Sequence, residues 1–112
     1  MGDPVTTNPD LYRVLFENDR VRVLEYLDQP GDATIPHVHP DSVMVTLSGF
    51  RRRLTTAGQE VEVELPAFQA RWLDAQEHSG TNIGDTPTHT VFVELKEPAA
   101  DPGLGRLGPA AS

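Results

Sequence analysis

Between Tyr12 and Leu95 the sequence is a succession of short β-type runs, and no stretch sustains a helical period. The clearest run, EVEVEL (60–65), alternates without a fault, with Val61, Val63 and Leu65 on one face and Glu60, Glu62 and Glu64 on the other. Successive strand residues point to opposite sides, so this is a half-buried strand with a charged outer face. YRVLF (12–16) and VRVLEYL (21–27) are joined by ENDR, where Asn18 and Asp19 suit a tight reversal. VMVTLS (43–48), FRRRLTT (50–56), FQARWL (68–73) and THTVFVEL (88–95) read as further strands. Breaks fall at QPGD (29–32), Gly49, Ala57-Gly58 and GDTP (84–87). This punctuation predicts an all-β fold, an antiparallel sandwich or barrel of about eight strands.

A chain of 112 residues has room for one domain. Residues 1–10, MGDPVTTNPD, are turn-rich and expected to be flexible, with 11–97 as the folded domain. Residues 98–112 are Pro, Gly and Ala with little to bury, and are expected to form a disordered tail. The net charge of -8 argues against nucleic acid and against an anionic membrane surface, both of which call for basic patches. No charged segment followed by an apolar one opens the chain, and no apolar stretch reaches about 18 residues, so a cytoplasmic protein is the expectation. The absence of cysteine removes disulfides, thiolate metal sites and thiol nucleophiles together. A metal site must then use His, carboxylate or hydroxyl ligands. The serines lack the acid–histidine pattern of a hydrolase triad.

PHVHPDSVMVTLSG (36–49) places His37 and His39 one residue apart just ahead of an apolar run. On a strand both imidazoles point to the same side and can face one interior point. Two neutral imidazoles are good ligands for a divalent first-row metal but rarely suffice alone, and His78, in QEHSGTN, is the natural third. Gly31, five residues, His37-x-His39 and Gly49, followed much later by His78-x-x-x-Asn82, resemble the two motifs of the cupin superfamily. The first motif reads G-x5-H-x-H, three or four residues, E, six residues, G; the second reads G-x5-P-x-G-x-x-H-x-x-x-N. The resemblance covers about residues 12 to 96, and implies a double-stranded β-helix, a jelly-roll barrel. More narrowly, HPDSVMVTLSGF and ARWLDAQEHSGTNIGDTPTHTVFVELK resemble small single-domain bacterial cupins of the β-alanine degradation type. Departures fall in the ligand set. Ser42, Val43 or Met44 stands where a cupin places its glutamate, and Ala67, Leu73 and Ala75 replace the Gly and Pro positions of the second motif.

Several other residues are candidates for a pocket, each with a plainer role beside it. Asp41 is either an oxygen ligand or, after Pro40, a turn residue bonded to backbone. His89 shares a face with Val91, Val93 and Leu95 and is read as facing inward, as a hydrogen-bond partner behind a metal ligand, a fourth ligand or a core histidine. Gln76 and Trp72 lie near His78 in sequence, with Trp72 more often a large piece of the core. Arg52 has the parity of Phe50 and Leu54 and is the member of Arg51–Arg53 placed to meet a substrate carboxylate. Pairing with Glu60, Glu62 and Glu64 is favoured for at least two of the three arginines. Tyr26 is a pocket donor or a half-buried strand tyrosine, Asn82 holds the turn after His78, and Gly49 gives the chain a tight turn.

Three histidines without a carboxylate leave the full charge on a divalent ion, which favours an anionic chelating substrate. The resemblance implies one divalent transition metal, Fe2+ favoured, with Ni2+, Zn2+, Co2+ and Mn2+ as candidates, and a dioxygenase-type enzyme on a small metabolite. A non-catalytic small-molecule binding or sensing cupin is the second reading. A sugar or keto-acid isomerase is the third, and would take its base from Glu77, Asp74, Tyr26 or His89. Exposed edge strands predict a homodimer, with YRVLF or VRVLEYL as the pairing strand.

Overall fold

Two antiparallel sheets face each other across a mixed interior, in the jelly-roll arrangement expected. In this computed structural model, which describes residues 2–98 and 106–110, the elements run α1 (Pro4–Thr7), β1 (Tyr12–Glu17), β2 (Val21–Asp28), β3 (His37–His39), β4 (Ser42–Thr46), β5 (Phe50–Thr56), β6 (Gln59–Leu65), β7 (Ala70–Leu73), β8 (Gln76–Asn82) and β9 (Thr88–Leu95). One sheet has the order β1-β2-β9-β4-β7 and the other β3-β8-β5-β6. Every strand pair is antiparallel. No helix among the described residues is long and apolar enough to cross a membrane.

Local chemistry explains most of the boundaries. The Asn18 side chain accepts from the Arg20 and Val21 amides at 2.8 and 2.9 Å and closes the first hairpin. Gly31 sits at φ +90, where a side chain would be strained, and its amide donates to the Asn82 carbonyl at 2.9 Å. That bond ties the loop before β3 to the end of β8. Gly49 has no positive φ, and a Cβ there would make only ordinary contacts, so it is not required for a tight turn. β7 begins at Ala70, two residues later than the FQARWL run, because Phe68 adopts φ 63 and stays exposed.

Tyr12, Leu24, Tyr26, Met44, Phe50, Leu73 and Phe92 form the apolar core between the sheets. The β5–β6 hairpin follows its alternation: Arg51 bonds Glu62 at 3.0 Å on the outer face, and Arg53 lies 3.8 Å from Glu60 and Glu62. β9 reverses the inward reading of His89. Thr88, Thr90, Phe92 and Glu94 point inward, and His89, Val91, Val93 and Leu95 outward. The more polar set is inside because the interior holds a hydrogen-bonded network, and the apolar set lies on the outer sheet face.

Residues 2–10, read above as a flexible segment, carry a short helix and contacts to the domain. Asp3 caps α1 through the Val5 amide at 2.9 Å, and the Val38 amide of β3 donates to the Gly2 carbonyl at 2.9 Å. Of the expected tail, residues 99–105 and 111–112 lie outside the described residues. Residues 106–110 make contacts with the domain: the Ala110 amide donates to the Trp72 carbonyl at 2.7 Å, and Leu107 is buried. Backbone amides and carbonyls found partners there that side-chain composition does not advertise.

Candidate metal centre

β3 and β8 pair with His37 opposite His78 and His39 opposite Gln76. Cross-strand register and the two-residue spacing therefore bring three imidazoles to one side. Their donor nitrogens lie within 4.8 Å of one another, and all three rings are buried.

Each ring has an oxygen behind it. His37 Nδ1 lies 2.8 Å from the Ile35 carbonyl, His78 Nδ1 lies 2.7 Å from Gln76 Oε1, and His39 Nδ1 lies 3.4 Å from Glu94 Oε2. An Nδ1 facing an acceptor carries the ring proton, which assigns the tautomer and leaves the Nε2 lone pair for a ligand. The supporting oxygens are themselves held. Asn8 brackets Ile35, accepting its amide at 2.9 Å and donating to its carbonyl at 3.3 Å. Gln76 Oε1 also accepts the Gly108 amide at 2.9 Å, and Gln76 Nε2 donates to the Arg106 carbonyl at 2.9 Å. Arg22 grips Glu94 Oε1 at 2.8–2.9 Å and reaches Asp3 at 2.8 Å.

Burial sets the charge state. It pulls His39 down to about 3, with His37 adding to the effect. Burial likewise holds His78 well below its ordinary value, and lowers His37 against the pull of the Ile35 carbonyl. Three neutral imidazoles with outward N–H groups and Nε2 lone pairs fit a divalent first-row ion. Burial raises the Glu94 carboxyl, with Arg22 working against it.

Tyr12 enters this site from β1. Its hydroxyl oxygen lies 3.4 Å from His37 Nε2 and 3.4 Å from His39 Nε2. Beside it is a cavity of about 50 Å³, lined by His37 and His78 and by Tyr26, Arg52 and Thr90. Arg52 donates to Asp28 at 2.5 Å, and the Tyr26 hydroxyl donates to the same carboxylate at 2.5 Å. Gly80 leaves room for this arginine, since a Cβ there would stand 2.9 Å from Arg52 Nη2. The Thr90 hydroxyl, 1% exposed, has no hydrogen-bond partner among the described residues.

The remaining sequence candidates are placed as follows. Ser42 is buried but donates to the Pro40 carbonyl at 2.8 Å, and Met44 lines the cavity. Asp41 accepts the Ala75 amide at 2.8 Å, a backbone role. His89 is outside the site, its Nε2 2.7 Å from Glu25 on the outer face. Trp72 is neither core nor pocket: it is 37% exposed and donates to Asp74 at 2.8 Å. Asn82 donates to the Thr86 carbonyl at 2.9 Å and accepts the Gly84 amide at 3.0 Å, holding its turn. Tyr12, Glu94, Asn8 and Asp28 were not found by sequence reasoning. Opposite parity for THTVFVEL would have aimed Glu94 inward; nothing local in YRVLF marks Tyr12.

No protein-family profile matches the sequence, and no curated protein matches it. Solved structures do. A cupin domain from Bordetella pertussis is 30% identical, with a TM-score of 0.71 over 77% of this chain and 92% of that one. A conserved protein with a double-stranded β-helix domain from Klebsiella pneumoniae is 24% identical, with a TM-score of 0.59 over 78% and 72% of the two chains. A cupin conserved barrel domain protein from Salinispora arenicola is 16% identical, with a TM-score of 0.58 over 81% and 80%. The last two share the fold. With the first aligned along nearly its whole length, and with His37 and His78 paired across β3 and β8, this chain belongs to the cupin superfamily.

Proposed function

We propose that His37, His39 and His78 hold one divalent transition metal ion, Fe2+ favoured, and that the protein is a dioxygenase-type enzyme on a small anionic chelating metabolite. The observation that carries the reading is the orientation of the rings, each Nδ1 directed at an oxygen, which leaves each Nε2 as the nitrogen with the lone pair. When bound, the ion supplies Lewis acidity and, as iron, oxygen activation. The chain supplies the rest. A cavity of about 50 Å³ suits a small metabolite. Its far end meets the unpartnered Thr90 hydroxyl and the remaining N–H groups of Arg52, while Met44, Leu73 and Phe92 exclude water.

A binding or sensing role is favoured by a different observation: Tyr26 and Arg52 are both bonded to Asp28, so apart from the imidazoles assigned to the metal no base is left among the described residues that line the cavity. That also weakens the isomerase reading, since Glu77 is exposed and His89 lies on the outer face. Elemental analysis of protein purified without a histidine tag, beside the His37→Ala, His78→Ala double variant, is the test. The expected result is about one equivalent of metal in the parent and none in the variant. A parent without metal after reconstitution refutes the metal site. With metal bound, oxygen uptake on a small acid supports the enzyme, and affinity without turnover supports the binder.

The partner is a second copy of the chain. Phe16, Val23, Val93, Val43 and Trp72 stand in register across the outer face of the five-stranded sheet, an apolar row spanning all its strands. Faces of this kind on soluble domains mark contacts with protein. Light scattering is expected to show a dimer for the parent and a monomer for Val93→Glu; a monomeric parent at micromolar concentration would contradict this.

A further inference from the structure

We infer that Tyr12 supplies the fourth protein donor to the metal, through its phenolate oxygen, in place of the carboxylate that β4 lacks. The inference rests on the metal reading above and concerns only what completes the site. Its basis is distance. Donors bonded to one first-row ion at about 2.0–2.1 Å would stand roughly 2.9–3.4 Å apart, from octahedral to tetrahedral arrangements. The Tyr12 oxygen is 3.4 Å from each of two Nε2 atoms, the same nitrogens that hold the lone pairs. In the metal-free protein the hydroxyl is a long hydrogen-bond donor shared between the two nitrogens. Both distances match an edge of a coordination shell.

The oxygen is held there from several sides. The Tyr12 ring packs against Tyr26 at 4.7 Å and against His37 at 5.6 Å between centroids. Its strand pairs with β2 through Tyr12 and Tyr26, and its amide donates to the Asn8 carbonyl at 3.1 Å. Its hydroxyl is directed at the two imidazoles, whereas the neighbouring Tyr26 hydroxyl is committed to Asp28 at 2.5 Å. A bound ion would take a lone pair from this oxygen and release its proton to the buffer as the metal is taken up, working against the burial that raises the Tyr12 phenol well above its ordinary value. The donor set then carries one negative charge, as it would with a glutamate. Ser42 bonds its own turn and Met44 is apolar, so β4 offers no such charge.

Fe(III)-loaded protein reports this directly, because iron bound by a phenolate absorbs in the visible through ligand-to-metal charge transfer and shows tyrosinate modes in resonance Raman. The expected result is a coloured parent, a coloured Tyr26→Phe control, and a colourless Tyr12→Phe that keeps about one equivalent of metal on its three histidines. A band that persists in Tyr12→Phe, or a parent that binds one equivalent without colour, overturns the inference and leaves the three-histidine site standing. A parent that binds no metal overturns both. Should Tyr12→Phe fail to fold, the Raman spectrum of the parent decides alone: tyrosinate modes support the assignment, and their absence with iron bound overturns it.

Discussion

Asp28→Ala is expected to destabilise the protein by about 3–5 kcal/mol, the range for removing one partner of a buried ion pair. Asp28 is 2% exposed and accepts four bonds: from Tyr26 Oη and Arg52 Nη1 at 2.5 Å, Asn82 Nδ2 at 3.0 Å and the Thr88 amide at 3.1 Å. Removing the carboxylate leaves the Arg52 guanidinium buried without its counter-charge and takes the acceptor from three other donors. At about 4 °C or more per kcal/mol for a domain of this size, Tm should fall by roughly 12 °C or more. Replacing both partners, Asp28→Leu with Arg52→Met, should lose less than Asp28→Ala alone, because no charge remains stranded. Thermal unfolding of the two proteins checks this. A fall of only a few degrees in Asp28→Ala would mean that the network around Arg52 is not what holds the two sheets together.

The metal-free protein should lose stability as pH falls from about 6.5 towards 3, by an amount on the order of a few kcal/mol. The folded-state value of His39 is about 3, and His37 and His78 are also lowered, all mainly by burial. In the unfolded chain these imidazoles titrate near their ordinary 6.5. Below that value the unfolded state binds protons that the native state refuses, so stability rises with pH across the window. The contribution is fully present above pH 6.5 and is lost as pH descends through the folded values. Denaturant midpoints measured at several pH values in a chelating buffer test it. A midpoint that stays flat down to pH 4 would show that the rings are hydrated in the metal-free protein. The same depression keeps the lone pairs available, so metal uptake should persist below pH 6.5.

What was legible in the sequence followed local rules. EVEVEL alternates in space as it does on paper, because one side meets the core and the other meets Arg51 and Arg53. His37 and His39 share a face because strand geometry leaves no choice. THTVFVEL misled because parity alone cannot say which side is inward; hydrophobicity chose Val91 and Val93, while the barrel interior took Thr90 and Glu94. Trp72 was read as core by size, yet its strand turns that face outward, into the apolar row with Val43 and Val93.

The sequence by itself determined the all-β class, the strand that carries two histidines and the third histidine that answers them. Those features rest on periods and spacings within a few residues of one another, or on a motif with a fixed order. Only the tertiary structure decided that Tyr12 stands 3.4 Å from two of the rings, that Glu94 backs His39, and that Asp28 collects the donors around Arg52. These contacts join residues 24 to 55 positions apart across different strands, and no local period encodes such a meeting. They arise from strand order and register, which are settled when the two sheets pack and not before.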